Sequence, residues 1–282
     1  MSVYPSSDIT VIIPCYNDGN YIEHALQSIL DQTMLPKEII IIDDGSEQLT
    51  LDLLKTITHP ILKIVYQENM GVCHARNRGI ELAETEFILT LDADDYFELT
   101  FIEKAFKVIS TSADVAAVCS YYQGFNKAKV VTDIIKPLGG GVSNFLVKNN
   151  GVASALFKKT CWGKVSGYDT NFDKGYEDWD FWNSILKNNW KMHVIPETLF
   201  KYRIKETSRD QTAVALYDKQ LRIAIYNKHK SVYLEHSDQV FSELIYKNNR
   251  LIHKVIKVQD TIDYRLGRNL LKPLRFVKNL FS

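Results

Sequence analysis

Residues 38–46 read EIIIIDDGS, an uninterrupted apolar run that ends in two aspartates and a glycine. The run is too uniformly apolar for a strand with one face in water, so it predicts a central strand covered on both faces. Similar runs occur at residues 9–13 and 87–91, and the second of these is also followed by acids, Asp92-Ala93-Asp94-Asp95. The fold is therefore expected to contain a buried sheet with acidic groups at its edge.

Strand-like and helix-like segments alternate through the first half of the chain. Helical patterns begin near Val72 and Phe101, and Asn20-x-x-Glu23 has the pattern of a capping box at the start of a first helix. This order predicts an α/β fold with a mostly parallel central sheet and helices on both faces. We expect it to occupy residues 1–210, followed by a helical C-terminal region at 211–282.

Ligands of such sheets bind beyond the carboxyl ends of the strands, which is where both acidic clusters fall. Asp92 and Asp94 are two residues apart in an extended segment, so their side chains point the same way. Two such carboxylates suit Mg²⁺ or Mn²⁺, which usually brings phosphate oxygens with it. The alternative is a solvated turn before the next helix. For Asp43 and Asp44, the alternatives are a tight turn and hydrogen bonds to a base or ribose.

Arg76 lies on the apolar side of its predicted helix, whereas Arg78 lies nearly opposite, at about 100° per residue. Arg76 is therefore expected to point inward, and Arg78 into solvent. A buried guanidinium needs an anionic partner. A carboxylate such as Asp44 or Asp94 would serve in the empty protein, and a diphosphate in the loaded one.

Residues 177–182 read EDWDFW at the predicted start of a further helix. In that helix Asp178 faces inward beside aromatic residues, and Asp180 faces outward. Asp178 is either a charge that stabilises the helix N-terminus or a general base whose pKa is raised by desolvation. Trp179 or Trp182 is either a core residue or an apolar surface for a sugar ring.

Composition excludes some classes of protein. The 34 basic and 34 acidic residues give a formal net charge of zero, which argues against nucleic acid as the main partner. Four scattered cysteines without a C-x-x-C pair favour a reduced, cytosolic protein. We see no secretory signal pattern and no apolar run long enough to span a bilayer.

The C-terminal segment, residues 261–282, has apolar and basic residues on opposite sides of a helical pattern. Such a segment can lie on an anionic membrane surface. Packing against the protein itself or against a second copy, as a homodimer through the C-terminal helices, is the alternative. Pro273 would break or kink a continuous helix here.

Six short motifs, in this order and spacing, resemble family 2 glycosyltransferases of the GT-A fold, a Rossmann-like α/β architecture, over roughly residues 8–205. They are Ile12-Ile13-Pro14-Cys15-Tyr16-Asn17, Gln32-Thr33, Asp43-Asp44-Gly45-Ser46, Gly71 through Ala75-Arg76-Asn77-x-Gly79, Asp92-Ala93-Asp94-Asp95 and Gly175-Tyr176-Glu177-Asp178-Trp179-Asp180. The resemblance implies an inverting transferase that uses a nucleoside-diphosphate sugar, most often of uridine diphosphate (UDP), with Mg²⁺ or Mn²⁺.

On the donor side, the resemblance assigns Pro14, Tyr16 and Asp44 to the uridine. It assigns Arg76 to the base or the diphosphate region.

On the reacting side, the resemblance makes Asp92 and Asp94 the metal-binding pair, with Asp94 the direct ligand. Asp178 would be the base that deprotonates the acceptor hydroxyl. Glu177 and Trp179, in the same motif, are the candidates for acceptor binding.

One motif departs from the family pattern. Many relatives carry Tyr-Arg-x-His after the last strand of the domain, and this histidine often completes the metal site, whereas this chain has Tyr202-Arg203-Ile204-Lys205 and then Ser208-Arg209. A protonated lysine is a poor metal ligand. We therefore expect Lys205 or Arg209 to neutralise the leaving diphosphate and the metal to be held more loosely.

The expected acceptor is a glycan or lipid-linked sugar of a surface polysaccharide, with a pocket shaped by residues 122–176. The protein would be cytoplasmic or peripheral on the inner face of the plasma membrane. One alternative is a sugar nucleotidyltransferase, which usually needs a Gly-rich basic loop that residues 15–19 do not provide. Another is a non-catalytic carbohydrate-binding or assembly subunit on the same fold.

Overall fold

The computed structural model describes residues 6–126, 129–205, 208–268 and 270–271. The chain divides into two compact units, Met1–Tyr233 and Leu234–Ser282. Residues 211–233 thus belong to the first unit, and the division at residue 210 expected from the sequence stays a prediction. None of the helices in the described ranges combines the length and the apolar character needed to cross a lipid bilayer.

The first unit alternates strands and helices as far as its middle and continues with helices at its end. Its elements are β1 (Ser6–Cys15), α1 (Gly19–Leu30), β2 (Leu35–Asp44), α2 (Gln48–Thr56), β3 (Leu62–Gln67), α3 (Val72–Leu82), β4 (Phe87–Thr90), β5 (Tyr96–Phe97), α4 (Phe101–Thr111), β6 (Val115–Asn126), β7 (Lys129–Val130), a 3₁₀ turn (Val142–Phe145), β8 (Leu156–Lys158), α5 (Lys159–Lys164), α6 (Glu177–Leu186), β9 (Lys191–Arg203), α7 (Arg209–Thr212), a π-helical turn (Ala213–Tyr217), α8 (Asp218–Lys228) and α9 (Lys230–Glu235). The last two residues of α9 already belong to the second unit, which also contains α10 (Ser237–Gln259).

The strands form one sheet in the order β3-β2-β1-β4-β8-β6-β9-β5, and β7 pairs with β6. The four longest pairings, β1 with β2, β1 with β4, β2 with β3 and β6 with β9, are parallel. β8 lies antiparallel between β4 and β6 and joins the two parallel parts. The predicted α/β fold with a mostly parallel central sheet, flanking helices and a helical C-terminal region is confirmed.

The apolar run in β2 is covered on both faces, as its composition predicts. Ile39 and Ile41 pack in one core with residues of α1 and α4, and Ile40 and Ile42 pack in the opposite core with residues of α3 and α6. All four side chains have no solvent exposure. Burial of each side chain contributes about 1.5–3 kcal/mol to folding. β2 therefore anchors the helices on both faces of the sheet.

The capping box predicted at the first helix is wrong. α1 begins at Gly19 after Asp18, and no side chain caps it. The chain turns through Asn17 at a φ of 57°, and the Asp18 carboxylate pairs with Lys205 instead. The long-range ion pair therefore takes the side chain that would otherwise be free to cap the helix.

The segment 122–176, which contains the glycine stretch 139–141, supplies a central strand. β8 has only three residues, too few to show a periodic pattern. The glycine stretch before it is anchored, because Gly140 exchanges two backbone hydrogen bonds with Met192 of β9, at 2.8 and 2.9 Å.

Candidate active site

A cavity of about 840 Å³ opens where β1, β2, β4 and β9 end. Eleven of the side chains predicted from the sequence to take part in binding or catalysis line it, whereas Asp43 and Trp182 do not. The eleven residues are Pro14, Tyr16, Asp44, Arg76, Asp92, Asp94, Glu177, Asp178, Trp179, Lys205 and Arg209. The acidic pair after β4 and the acid on α6 thus face a common space.

At the end of β2, Asp44 holds the loop that leads into α3. One of its carboxylate oxygens accepts hydrogen bonds from the Gln67 side chain and the Met70 backbone N–H, at 2.7 and 2.9 Å, and the other accepts from the Gly71 N–H at 2.8 Å. These bonds compensate for the burial of the carboxylate, which is 3% exposed. Tyr16, at 52% exposure, lies open at the mouth of the cavity.

Arg76 points inward, as predicted, and is 1% exposed. Its guanidinium contacts Asp92 at 2.6 Å and Glu177 at 2.9 Å. The partners proposed from the sequence, Asp44 and Asp94, are wrong, because Asp44 binds the 67–71 loop and Asp94 binds a lysine. Burial alone would lower the pKa of Arg76, but Asp92 and Glu177 raise it above its ordinary value, so the group stays charged. Arg78 is solvent-exposed, as expected.

Glu177 lies between two arginines. It is 3% exposed, and its carboxylate contacts both Arg76 and Arg209. Burial would raise its pKa, but Arg209 and Arg76 hold the pKa below its ordinary value. The residue therefore links two cationic groups at the cavity wall, and its acceptor-binding role stays a prediction.

Lys205 lies between two acids, one that follows β1 and one that follows β4. Its Nζ is 2.7 Å from Asp18 Oδ1 and 2.8 Å from Asp94 Oδ2. Burial would lower the pKa of Lys205, whereas the two carboxylates raise it. Burial in turn raises the pKa of Asp94. The lysine thus places a fixed positive charge beside the predicted metal ligand.

The end of β9 fixes the acidic loop after β4. The backbone N–H of Arg203 donates to Asp95 Oδ1 at 2.7 Å, and its Nε donates to the Asp94 carbonyl oxygen at 2.7 Å. The same guanidinium lies 4.4 Å from the ring centres of both Tyr21 and Phe125. Asp95 is 1% exposed, and burial raises its pKa. This acid therefore holds the loop to the end of β9.

Asp92 and Asp94 fit a divalent ion if phosphate oxygens and water supply the other ligands. In the described ranges no group of three or more His, Cys, Asp or Glu side chains is arranged to hold a metal. Mg²⁺ is nevertheless often bound through one or two carboxylates, with phosphate oxygens and water completing the shell. The donor chemistry of the pair suits this arrangement, with a diphosphate as the remaining ligand.

Asp178 is half-buried at the start of α6. Its Oδ1 accepts from the Trp179 backbone N–H at 2.8 Å, and its Oδ2 accepts from Asn149 Nδ2 at 2.7 Å. Burial first, and then the nearby Glu177 and Asp210 charges, raise the pKa of Asp178 to about 7. A carboxylate with this pKa is poised to take up a proton near neutral pH.

Asp180 does not face outward, so this prediction is wrong. It is 1% exposed, and its two oxygens lie 2.8 Å from His229 Nε2 and 2.7 Å from Lys228 Nζ. The end of α8 covers this side of α6, which the pattern of α6 alone does not reveal. Trp182 is a core residue with no exposure, whereas Trp179, 3% exposed, both packs and lines the cavity.

Three cavity residues have contacts that the sequence reading missed: Asp18, Asn149 and Asp210. Asp18 follows β1 as Asp44 ends β2, so the strand-end argument applied to β1 would have found it. Asn149 lies in an Asn-Asn-Gly stretch that has the composition of an ordinary turn. Asp210 lies in the short helix α7, where no periodic pattern marks it.

The sheet order and the position of this cleft define the fold class, that of the GT-A proteins. The S. aureus TarS fragment 1–349 in complex with UDP-GlcNAc has a TM-score of 0.61 at 21% identity, covering 73% of this chain and 61% of that one. At this identity the likeness concerns the fold alone.

The chain belongs to glycosyl transferase family 2, whose sequence pattern matches residues 10–155. It is 36% identical over 218 residues to glycosyltransferase GlyA of Streptococcus pneumoniae serotype 4, covering 71% of this chain and 31% of that protein. It is 28% identical over 205 residues to the poly-β-1,6-N-acetyl-D-glucosamine synthase of Staphylococcus aureus MSSA476, covering 70% and 47%. The chain thus spans less than two thirds of the length of each of these relatives.

Proposed function

We propose that this chain transfers a sugar from a nucleoside-diphosphate sugar, of the UDP type, to a hydroxyl group of a glycan or lipid-linked acceptor in surface polysaccharide synthesis. The observation that carries the proposal is the common cavity of Asp94 and Asp178. An acidic pair suited to a metal–diphosphate complex and a carboxylate with a raised pKa are the two groups that such a transfer requires.

The donor side would bind the nucleotide diphosphate. Pro14, Tyr16 and Asp44 line the part of the cavity where we place the nucleoside. Asp92 and Asp94 would hold Mg²⁺ or Mn²⁺, which when bound supplies positive charge against the leaving diphosphate.

The cationic side chains of the cavity add to that charge. Lys205 and Arg209 lie at its wall in ion pairs with Asp94 and Glu177. Neither is fully enclosed, so both can turn toward phosphate oxygens when a donor enters. Arg76, held by two carboxylates, instead connects the loop after β4 to the start of α6.

Asp178 would act as the general base. It accepts the proton of the acceptor hydroxyl while the oxygen attacks the anomeric carbon and the bond to the diphosphate breaks. A single displacement of this kind inverts the configuration, because no second carboxylate is needed as a nucleophile. The pKa of about 7 means that a large share of Asp178 is charged and able to accept a proton near neutral pH.

The experiment is an assay of products from UDP-N-acetylglucosamine and other nucleotide sugars with Mn²⁺. The proposal expects release of UDP, slow with water as acceptor and faster with a glycan acceptor. A nucleotidyltransferase would instead form or consume pyrophosphate, and a scaffold subunit would leave the donor intact. Either result, across the whole panel, would contradict the proposal.

Peripheral contact with an anionic membrane is a further part of the proposal, and α10 supports it. None of the residues of α10, all described, is buried. At about 100° per residue, its apolar side carries Phe241, Leu244, Leu251, Ile252 and Val255, and its opposite side carries Lys247, Arg250, Lys254 and Lys257. A broad apolar face with a mainly basic opposite side matches an anionic lipid surface. Of the predicted contact segment, 261–282, residues 269 and 272–282 lie outside the described part of the chain.

Sedimentation with vesicles tests this contact. Phosphatidylglycerol vesicles should bind the protein, phosphatidylcholine vesicles should bind it less, and Leu251→Glu should weaken binding. Equal recovery in all three cases, together with a stable dimer that Leu251→Glu dissociates, would assign the face of α10 to a second copy instead.

A further inference from the structure

Asn149 reaches the candidate base from outside α6. It lies between the 3₁₀ turn and β8, and its Nδ2 donates to Asp178 Oδ2 at 2.7 Å. Its own Oδ1 accepts from the Gly151 backbone N–H at 3.1 Å. Since a backbone N–H can only donate, the second contact identifies the oxygen end of the amide and leaves the NH₂ end facing Asp178.

The segment that carries Asn149 is itself held in place. Gly139 N–H donates to the Asn150 carbonyl oxygen at 3.0 Å, and Asn150 Nδ2 donates to the Asn144 carbonyl oxygen. The backbone bonds of Gly140 to Met192 tie the same segment to β9. The donor of the 2.7 Å bond is therefore attached to the sheet and does not hang on a free loop.

Asp178 needs such a donor because its acidic neighbours favour the protonated carboxyl group, which cannot act as a base. Glu177 and Asp210 raise its pKa after burial does, and the Arg76 charge and the Asn149 hydrogen bond lower it. The phenol groups of Tyr122 and Tyr168 also lie within electrostatic range. With one oxygen bonded to Asn149 and the other to the Trp179 N–H, the remaining lone pairs are available to the cavity.

We propose that Asn149 is a positioning residue for the transfer step: its amide fixes the rotamer of Asp178 so that a free lone pair faces the acceptor hydroxyl. The inference rests on the proposed role of Asp178 as the base. Asn149 does not itself exchange a proton, and the transferred sugar does not need to touch it.

Two variants and one matched control separate this role from a structural one. Asn149→Asp keeps an acceptor for the Gly151 N–H but replaces the donor with a negatively charged oxygen. Asn149→Ala removes both bonds. Asn150→Ala, the control, removes a neighbouring amide of the same type, whose side chain donates to the Asn144 carbonyl oxygen in its own segment.

The readouts are the pH dependence of UDP release from UDP-N-acetylglucosamine, the donor KM, and the titration of the Asp178 carboxyl carbon by ¹³C NMR. Loss of a donor to the charged form raises the pKa of a carboxylate, and the base must be deprotonated, so the rising limb of kcat moves to higher pH. We expect a shift of about one unit and a roughly tenfold lower kcat below the limb for Asn149→Asp, with a smaller shift for Asn149→Ala. Donor KM should change little, and Asn150→Ala should lower only the melting temperature.

An unchanged limb and an unchanged Asp178 titration in both Asn149 variants would overturn the inference. If one variant does not fold, the NMR titration of the other decides. Asp178→Asn, measured beside them, tests the base separately. If it retains full turnover, the proposed function fails at Asp178, whereas an inactive Asp178→Asn with unaltered Asn149 profiles leaves that function standing and removes Asn149 alone.

Discussion

Three acids close together on α6 differ in their partners, and the two flanking acids contrast with the middle one. Glu177 contacts Arg76 and Arg209, and Asp180 contacts Lys228 and His229. Asp178, between them, forms no ion pair among the described residues and is bonded by a neutral amide. The paired acids hold elements together, and the unpaired one keeps a pKa of about 7 and faces the cavity.

The contrast shows how one helical turn serves two purposes. A buried carboxylate with a cationic partner is stable only in its charged form, which makes it a fixed structural group. A carboxylate desolvated without such a partner remains able to exchange a proton. The substitutions below test this difference between paired and unpaired carboxylates, beginning with the largest expected effect.

Arg76→Met should destabilise the fold by about 3–5 kcal/mol, because it leaves the buried Glu177 and the half-buried Asp92 without the cation that they share. Urea unfolding measures this effect. Arg78→Met is the matched control, since Arg78 lies on the same helix, is exposed and meets Glu81 only at 4.0 Å. A change of similar size in both variants would show that the ion pairs of Arg76 are not the cause.

Asp178→Asn should lower turnover on the order of 10²-fold or more, the usual contribution of a general base, while UDP binding by calorimetry stays the same. The same substitution should increase the free energy of unfolding. The folded-state pKa of Asp178 is raised to about 7 from 3.8, so the charged form costs stability, and this cost grows as pH rises from about 4 to 7. Unfolding at pH 4 and pH 7 should therefore show a gain for the variant mainly at pH 7. Equal gains at both values would place the carboxyl in an ordinary solvated setting.

Asp180→Asn should behave in the reverse way. It removes the charge that Lys228 and His229 contact, so we expect a loss of about 1–3 kcal/mol in unfolding free energy. The pH dependence of turnover should remain that of the parent. A shifted pH profile would mean that the two acids act on the same step.

Lys205→His should have the smallest effect and concerns the ion pair between Lys205 and Asp94. An imidazole is a metal ligand whereas an ammonium is not, so Mn²⁺ should bind several-fold more tightly, as measured by electron paramagnetic resonance in the absence of donor. Lys205→Met removes the same charge without supplying a ligand and serves as the control. Identical Mn²⁺ affinity and identical response to a chelator in the parent and Lys205→His would remove the lysine from any part in metal binding.

The side of the cavity that carries Asp44, Asp92 and Asp94 was largely predictable from the sequence. Apolar runs followed by Asp44 and by Asp92 and Asp94 place these residues at one edge of a parallel sheet, because all its strands end there. The inward direction of Arg76 follows from the period of its own helix. These inferences depend on local patterns, and the structure places the residues in one cavity.

Pairing partners were not predictable, because they come from distant parts of the chain. Arg76 meets Glu177 across 101 positions, and Lys205 meets Asp18 across 187. Asp180 is buried by α8, an element that nothing in the α6 sequence indicates. Helical period gives the direction of a side chain, but the coverage of that face depends on the rest of the fold.

The place of β8 has a consequence for biosynthesis. β4 and β6 are each paired with β8 and not with each other in the strand order of the sheet. During translation the N-terminal parallel layer, β1 to β4, can assemble first, but its open edge stays exposed until Leu156–Lys158 leaves the ribosome. A ribosome pausing before that point would hold a nascent chain with an unpaired strand edge, which other chains or chaperones can bind.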